Sequence, residues 1–336
     1  MLDLSYRTVI ISRTDSIGDV CLTLPLCGYL KKRFKGVRIV FLGNTYTAPI
    51  LNCCHDIDEV LSWKELESLE ESERIKAFRS IRAFAIIHVF PRKEIARLAK
   101  KSGIQHRIGT SHRLFHLVTC NHRVNFTRKQ ANEHESQLNF HLLRPFGVRT
   151  LPSLEEVSES VHFSTSFPLP EWLLNEVDTP QPKVILHPRS QGSAVEWGVN
   201  HFAELGKQLT EKGYKVFYTG TESEATSFRH LIPEDCIDTS GKLSLDELIA
   251  LIQQIDILIA ASTGPLHIAG LLNKGAIGLF APRRPIHPGR WKPLGKHSTT
   301  LVFDENCSTC QKGSPCNCIE KISVDTVGHA ATGIKH

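Results

Sequence analysis

The sequence predicts an α/β protein built from two doubly wound, Rossmann-like halves. Short β-branched apolar runs recur in each half, and each is followed by a polar turn and a helical segment. A stretch rich in proline, serine and glutamate separates the two series. The chain has 336 residues, more than one hydrophobic core usually supports, so two domains are expected. Their expected bounds are 1–160 for the first domain, 161–182 for a linker and 183–321 for the second. A final helix over 322–336 is expected to pack back on the first domain.

The first half opens with Thr8–Ser12, a continuous apolar strand, and a polar turn over Arg13–Asp19. A helical run from Val20 through Leu30 follows, ending in Lys31-Lys32-Arg33, where cations suit the helix dipole. Val37–Leu42 is the next strand, and the three elements make a βαβ unit with parallel strands. Helices are predicted around Ala48–Cys53, from Lys64 to about Ala83 and over Glu94–Lys101, with strands at Ala85–Val89 and near Arg107–Gly109. Another helix spans Asn132–Leu143. The first turn reads Ser16-Ile17-Gly18-Asp19 and lacks the G-x-G-x-x-G fingerprint, which removes support for a dinucleotide enzyme. Asp19 is either an acidic first-turn residue favoured by the helix dipole or a carboxylate at the end of a strand where such sheets bind ligands.

After the linker the rhythm restarts. Val184–His187 is a strand, followed by the loop Pro188-Arg189-Ser190-Gln191-Gly192-Ser193, Trp197 and the helix His201–Lys212. Tyr214–Thr219 is a strand whose turn begins at Gly220 and carries Glu224. The helix Leu245–Gln254 leads into Ile257–Leu271, a buried strand joined to a helix through Ser262-Thr263-Gly264-Pro265. Pro265 suits a first helical turn, and Thr263 or Ser262 can cap it. Such a helix start is also a ready anion site. Ala276–Phe280 is the closing strand, and a loop rich in proline and arginine runs from Ala281 to Gly295. Two Rossmann-like domains facing a central cleft make the GT-B architecture, although periplasmic-binding-type folds share that outline.

Composition narrows the function. The chain is 41% hydrophobic and 22% charged, an ordinary globular composition. A net charge of +5 suits an anionic substrate or a membrane surface, but basic residues are not clustered as a nucleic-acid footprint requires. No signal sequence precedes the first strand and no apolar run is long enough to cross a membrane, so a cytoplasmic protein with reduced cysteines is expected. Basic residues at Lys31–Lys35 and Arg283–Arg290 allow peripheral contact with the inner membrane.

Several segments together resemble glycosyltransferase family 9, the lipopolysaccharide heptosyltransferases. They are Asp15-Ser16-Ile17-Gly18-Asp19, the loop His187–Ser193, Trp197, the Tyr218-Thr219-Gly220-Thr221-Glu222 turn, Ser262–Ala269 and Pro288–Gly295, with the His134-Glu135 helix before the linker. The resemblance spans essentially the whole chain in order. It implies inverting, metal-independent transfer of a heptose from ADP-heptose to an inner-core hydroxyl of a lipid-linked saccharide. It also implies roles. Asp19 would be the base and Arg13 a basic residue of the first loop. Ser262, Thr263, Gly264, Arg189 and Ser190 would hold the donor diphosphate, and Glu224, Gly220 and His267 the nucleoside. No cofactor is implied. Two departures fall in the donor region: Val195 stands where the family commonly has lysine, and Ser262 where many members have aspartate. Arg189 is the candidate replacement cation. A different nucleotide sugar, or a silent nucleotide-sugar-binding protein, is the alternative.

Cys307, Cys310, Cys316 and Cys318 fall in one short segment. Four such residues could enclose a structural zinc ion. The tight C-x-C spacing of the second pair instead favours reduced thiols in a loop, and the sequence expectation is no bound metal.

Overall fold

A computed structural model describes residues 1–128 and 131–334. The chain divides into two compact units, Met1–Ser164 and Thr165–His336.

In the first unit six parallel strands form one sheet: β1 (Thr8–Ser12), β2 (Arg38–Gly43), β3 (Glu59–Ser62), β4 (Ala85–His88), β5 (His106–Thr110) and β6 (His122–Val124). Their order is β3-β2-β1-β4-β5-β6. Ile10 of β1 lies between Val40 of β2 and Ile86 of β4, and all three are fully buried. The second unit repeats the plan with β7 (Lys183–His187), β8 (Lys215–Tyr218), β9 (Ile237–Asp238), β10 (Ile257–Ala261), β11 (Gly275–Leu279) and β12 (Ser298–Leu301), in the order β12-β11-β10-β7-β8-β9. Each sheet therefore has a point where the chain reverses its direction of winding, between β1 and β4 in one and between β7 and β10 in the other. Doubly wound sheets bind ligands outside the strands' carboxyl ends at such a point.

Four strands escaped the sequence prediction: β3, β6, β9 and β12. They are the outer strands of the two sheets. Central strands are covered on both faces and read as continuous apolar runs, whereas edge strands are short and half-wet. His-Arg-Val and Ile-Asp, the whole of β6 and β9, carry no usable period. Two predicted helices are also broken. The run after Asp19 forms Ile17–Cys21 and Pro25–Arg33, because Pro25 starts a new helix. The long charged helix becomes Trp63–Ser68 and Glu71–Ser80.

The predicted linker is divided between the units and partly helical. Leu154–Ser158 belongs to the first unit, and the Ser160 carbonyl lies so close to Gly28 that a Cβ there would sit 1.6 Å from it. From Thr165 onward the segment belongs to the second unit. It includes the helix Glu171–Val177, and Gln253 exchanges hydrogen bonds with the Thr165 backbone. The last helix, Val324–Gly333, belongs to the second unit, where it packs on Val199–Glu211. Just before it, the Trp197 indole N–H donates to the Ile322 carbonyl at 2.8 Å, deep in the second core.

Candidate active site

In the first unit the loop after β1 places Arg13 under Asp19. The Arg13 guanidinium is 3% exposed and has three carboxylates around it. Its Nε donates to Asp15 at 2.6 Å, Nη2 donates to Asp19, and Nη1 lies 3.5 Å from Glu135. Ser16 also donates to the second oxygen of Asp19, and the Asp19 carbonyl accepts from Thr23. Glu135 is 1% exposed and also accepts from Arg128 at 2.9 Å. A buried guanidinium needs such a counter-ion, since a charge taken out of water without a partner is very costly. Burial raises the Asp15 carboxyl above its ordinary value despite Arg13 beside it. Asp19 thus projects from a braced base at the winding reversal of the first sheet, its side chain partly open to solvent. The sequence singled out Arg13 and Asp19. It marked Glu135 only as part of a family-like segment, because the two partners lie far apart along the chain.

In the second unit the loop after β7 is held by carboxylates. Glu196 accepts from the Ser190 amide and hydroxyl, both at 2.8 Å, and pairs with Arg189 at 2.7 Å. Glu224 accepts from the Thr221 amide and hydroxyl, both at 2.8 Å, and from the Gln191 amide at 3.1 Å. Burial opposes charge on Glu224, yet these bonds and nearby His187 hold its carboxyl below the ordinary value. Gln191 and Gly192 both have positive φ, at 50° and 77°, which turns the loop sharply. His187 is buried and meets the Thr219 hydroxyl at 2.9 Å. Burial lowers its basicity, against the pull of Glu224 and Glu196.

Beside this loop β10 leads through Ser262 into the helix Gly264–Leu271, whose N-cap is Thr263. The predicted side-chain cap is not made. The Thr263 hydroxyl is buried and makes no hydrogen bond within the described residues. A cavity of 290 Å³ opens here, lined by Ser193, Val195 and Ser262 and by the loop after β11, including Arg283 and Arg284. The cations at this cavity are therefore Arg283 and Arg284. Arg189, the expected replacement for the missing lysine, pairs with Glu196. The sequence allowed the 283–290 stretch a peripheral membrane contact, and its proline- and arginine-rich composition was the available signal for the basic residues at this cavity. His267 is buried on the same helix, its ring 6.2 Å from that of Trp291. Gly220 lies at the end of β8, where a Cβ would press within 3.3 Å of Phe228.

The model of glycosyltransferase family 9 (heptosyltransferase) matches residues 92–319, more than half of the chain. The chain belongs to glycosyltransferase family 9. It is an α/β glycosyltransferase of GT-B fold, as the sequence predicted. Among family 9 relatives, lipopolysaccharide heptosyltransferase 3 of Escherichia coli is 26% identical over 298 residues, covering 82% of this chain and 83% of its own. A Haemophilus influenzae protein provisionally assigned as a glycosyltransferase is 25% identical over 328 residues, covering 94% and 93%. The crystal structure of a family 9 glycosyl transferase from Veillonella parvula superposes with a TM-score of 0.80 at 19% identity, covering 99% of this chain and 98% of that one. E. coli ADP-heptose lipopolysaccharide heptosyltransferase II gives 0.77 at 18% identity, covering 98% of both.

Proposed function

We propose that this transferase moves a heptose from ADP-heptose to an inner-core hydroxyl of a lipid-linked saccharide, with inversion at the anomeric carbon. The observation carrying the proposal is the braced Asp19 carboxylate, on the helix Ile17–Cys21 that follows β1, in a chain of this family. Asp19 takes the proton of the acceptor hydroxyl as its oxygen bonds to the anomeric carbon. The bond from that carbon to the diphosphate breaks, and ADP leaves with the electron pair. The amides at the start of Gly264–Leu271, the Thr263 hydroxyl and the Arg283 and Arg284 guanidiniums stabilise the departing charge. Glu224, Gly220 and His267 meet the nucleoside.

Val195 and Ser262 at the cavity keep a second donor in view. Either residue changes what the phosphates meet, so another nucleotide sugar is the alternative. Calorimetry with ADP, UDP and GDP separates the two: tight ADP binding supports heptose transfer from ADP-heptose, and binding of UDP alone overturns it. For the base, Asp19→Asn is expected to lower kcat by about 100- to 10,000-fold with donor affinity little changed, measured as ADP release with a heptose-deficient acceptor. Full activity in that variant would remove Asp19 from the role.

A further inference from the structure

The connection from β12 to the last helix, residues 302–323, has little regular structure: only the short turns Ser308–Gln311 and Cys318–Lys321. Connections of this length without a core of their own need something to hold them. All four of the cysteines singled out in the sequence converge here. Their sulfur atoms all lie within 4.8 Å of one another. Cys307 and Cys316 are 3.6 Å apart and Cys310 and Cys318 3.3 Å, and all four are free thiols. A disulfide would need about 2.05 Å. A tetrahedral ion with metal–sulfur bonds of about 2.3 Å puts each pair of sulfurs about 3.8 Å apart. The four sulfurs therefore already surround a point at the right scale, and adjustments of up to about one ångström seat an ion.

We propose that these four cysteines form a closed tetrathiolate site for a divalent ion that prefers sulfur, zinc or iron, and that the ion pins this connection to the core of the second unit. Sulfur-only tetrahedral sets select these ions over magnesium or calcium. On binding, four metal–sulfur bonds form, the four thiol protons pass to solvent, and the metal keeps its oxidation state. Four protein ligands leave no open position, so the role is structural. Two ligands come from each side of an exposed tip, with Cys310 and Cys318 in the core among Trp197, Ile319 and Ile322, and Cys307 and Cys316 packed against it. The tip itself touches the cavity wall, because the Gly313 carbonyl accepts from Arg283 at 2.9 Å and Arg283 lines the cavity. The geometry thus reverses the order suggested by the C-x-C spacing. Spacing along the chain constrains neighbouring ligands only, whereas here the nearest sulfurs pair the first cysteine with the third and the second with the fourth.

The test uses the full chain, purified anaerobically without added metal. Elemental analysis is expected to find about one equivalent of zinc or iron per chain. A colourless protein identifies zinc, and a sulfur-to-iron charge-transfer band after oxidation identifies iron. After chelation, added cobalt(II) is expected to give the intense absorption of tetrahedral thiolate ligation. The Cys307→Ser/Cys316→Ser double variant, which spares the two most buried sulfurs, is expected to lose the ion and to melt at lower temperature. Metal-free wild-type protein in which Cys307, Cys310, Cys316 and Cys318 are all alkylatable, or are joined in two disulfides by mass, would overturn the proposal. So would full retention of the ion in the double variant. All these readouts are independent of the donor and of catalysis.

Discussion

Thr263 is buried at a helix start with a hydroxyl that bonds to nothing within the described residues. Such a group costs stability unless a ligand completes it. Thr263→Val keeps the branched shape and removes the hydroxyl. It is expected to weaken donor binding about tenfold while leaving the melting temperature unchanged or slightly higher. Calorimetry and a thermal melt on the same preparation check this, and an unchanged affinity would mean that the hydroxyl serves no ligand. Asp19 presents the opposite case. Its carboxylate is already engaged by Arg13 and Ser16, and Arg13 in turn is neutralised by Glu135. The residue identities at both places were legible from the sequence. The state of each side chain, one without a partner and the other braced, required the fold.

At the scale of elements, one surface turn stands out. Leu114, Leu117 and Val118 around the helix His116–Thr119 are 85%, 53% and 67% exposed. The backbone there is held by cations: Lys100 donates to the Val118 carbonyl and Arg123 to that of Leu117. Apolar side chains ringed by basic ones suit the boundary of an anionic membrane. Lys31 is bonded to Asp58 at 2.6 Å, and Arg283 lines the cavity. If the acceptor is lipid-linked, this turn is the candidate for peripheral contact. Leu117→Ser/Val118→Ser is then expected to reduce co-sedimentation with anionic vesicles several-fold without altering ADP affinity. The central strands were legible because burial on both faces leaves a continuous apolar signature. The edge strands were not, since their assignment depends on the neighbour that pairs with them.

At the scale of the whole molecule, buried histidines are expected to contribute to acid sensitivity. His88 ends β4, and neither of its ring nitrogens makes a hydrogen bond within the described residues. Burial, then the nearby charges of His116 and Arg107, push its pKa down to about 3. Because the folded value lies below the ordinary imidazole value, the unfolded chain takes up this proton first. Stability is therefore full at neutral pH and falls as pH drops below about 6.5, continuing toward the folded value. His116 and His187 are shifted the same way by burial and add to the effect. His88→Leu is expected to flatten the acid limb by up to about 1.4 kcal/mol per pH unit, measured by urea unfolding between pH 6 and about pH 4. An unchanged slope would assign the acid sensitivity to other groups.

The α/β class, the two-part repetition, the family and the candidate positions Arg13, Asp19, Thr263 and Glu224 could all be read from the order of residues. These rest on local signals: apolar runs, turn residues and ordered motifs, all of which act over a few neighbouring residues. Tertiary structure alone decided which distant groups meet. It joined Glu135 to Arg13 and Glu196 to Arg189, put Arg283 and Arg284 on the cavity, and gathered four sulfurs from one loose connection. It also brought the Trp197 indole to the Ile322 carbonyl, just before the last helix. The physical reason is common to all of these. Charge neutralisation, packing and ligand geometry depend on distance in space, and the chain's own order carries that distance only for close neighbours.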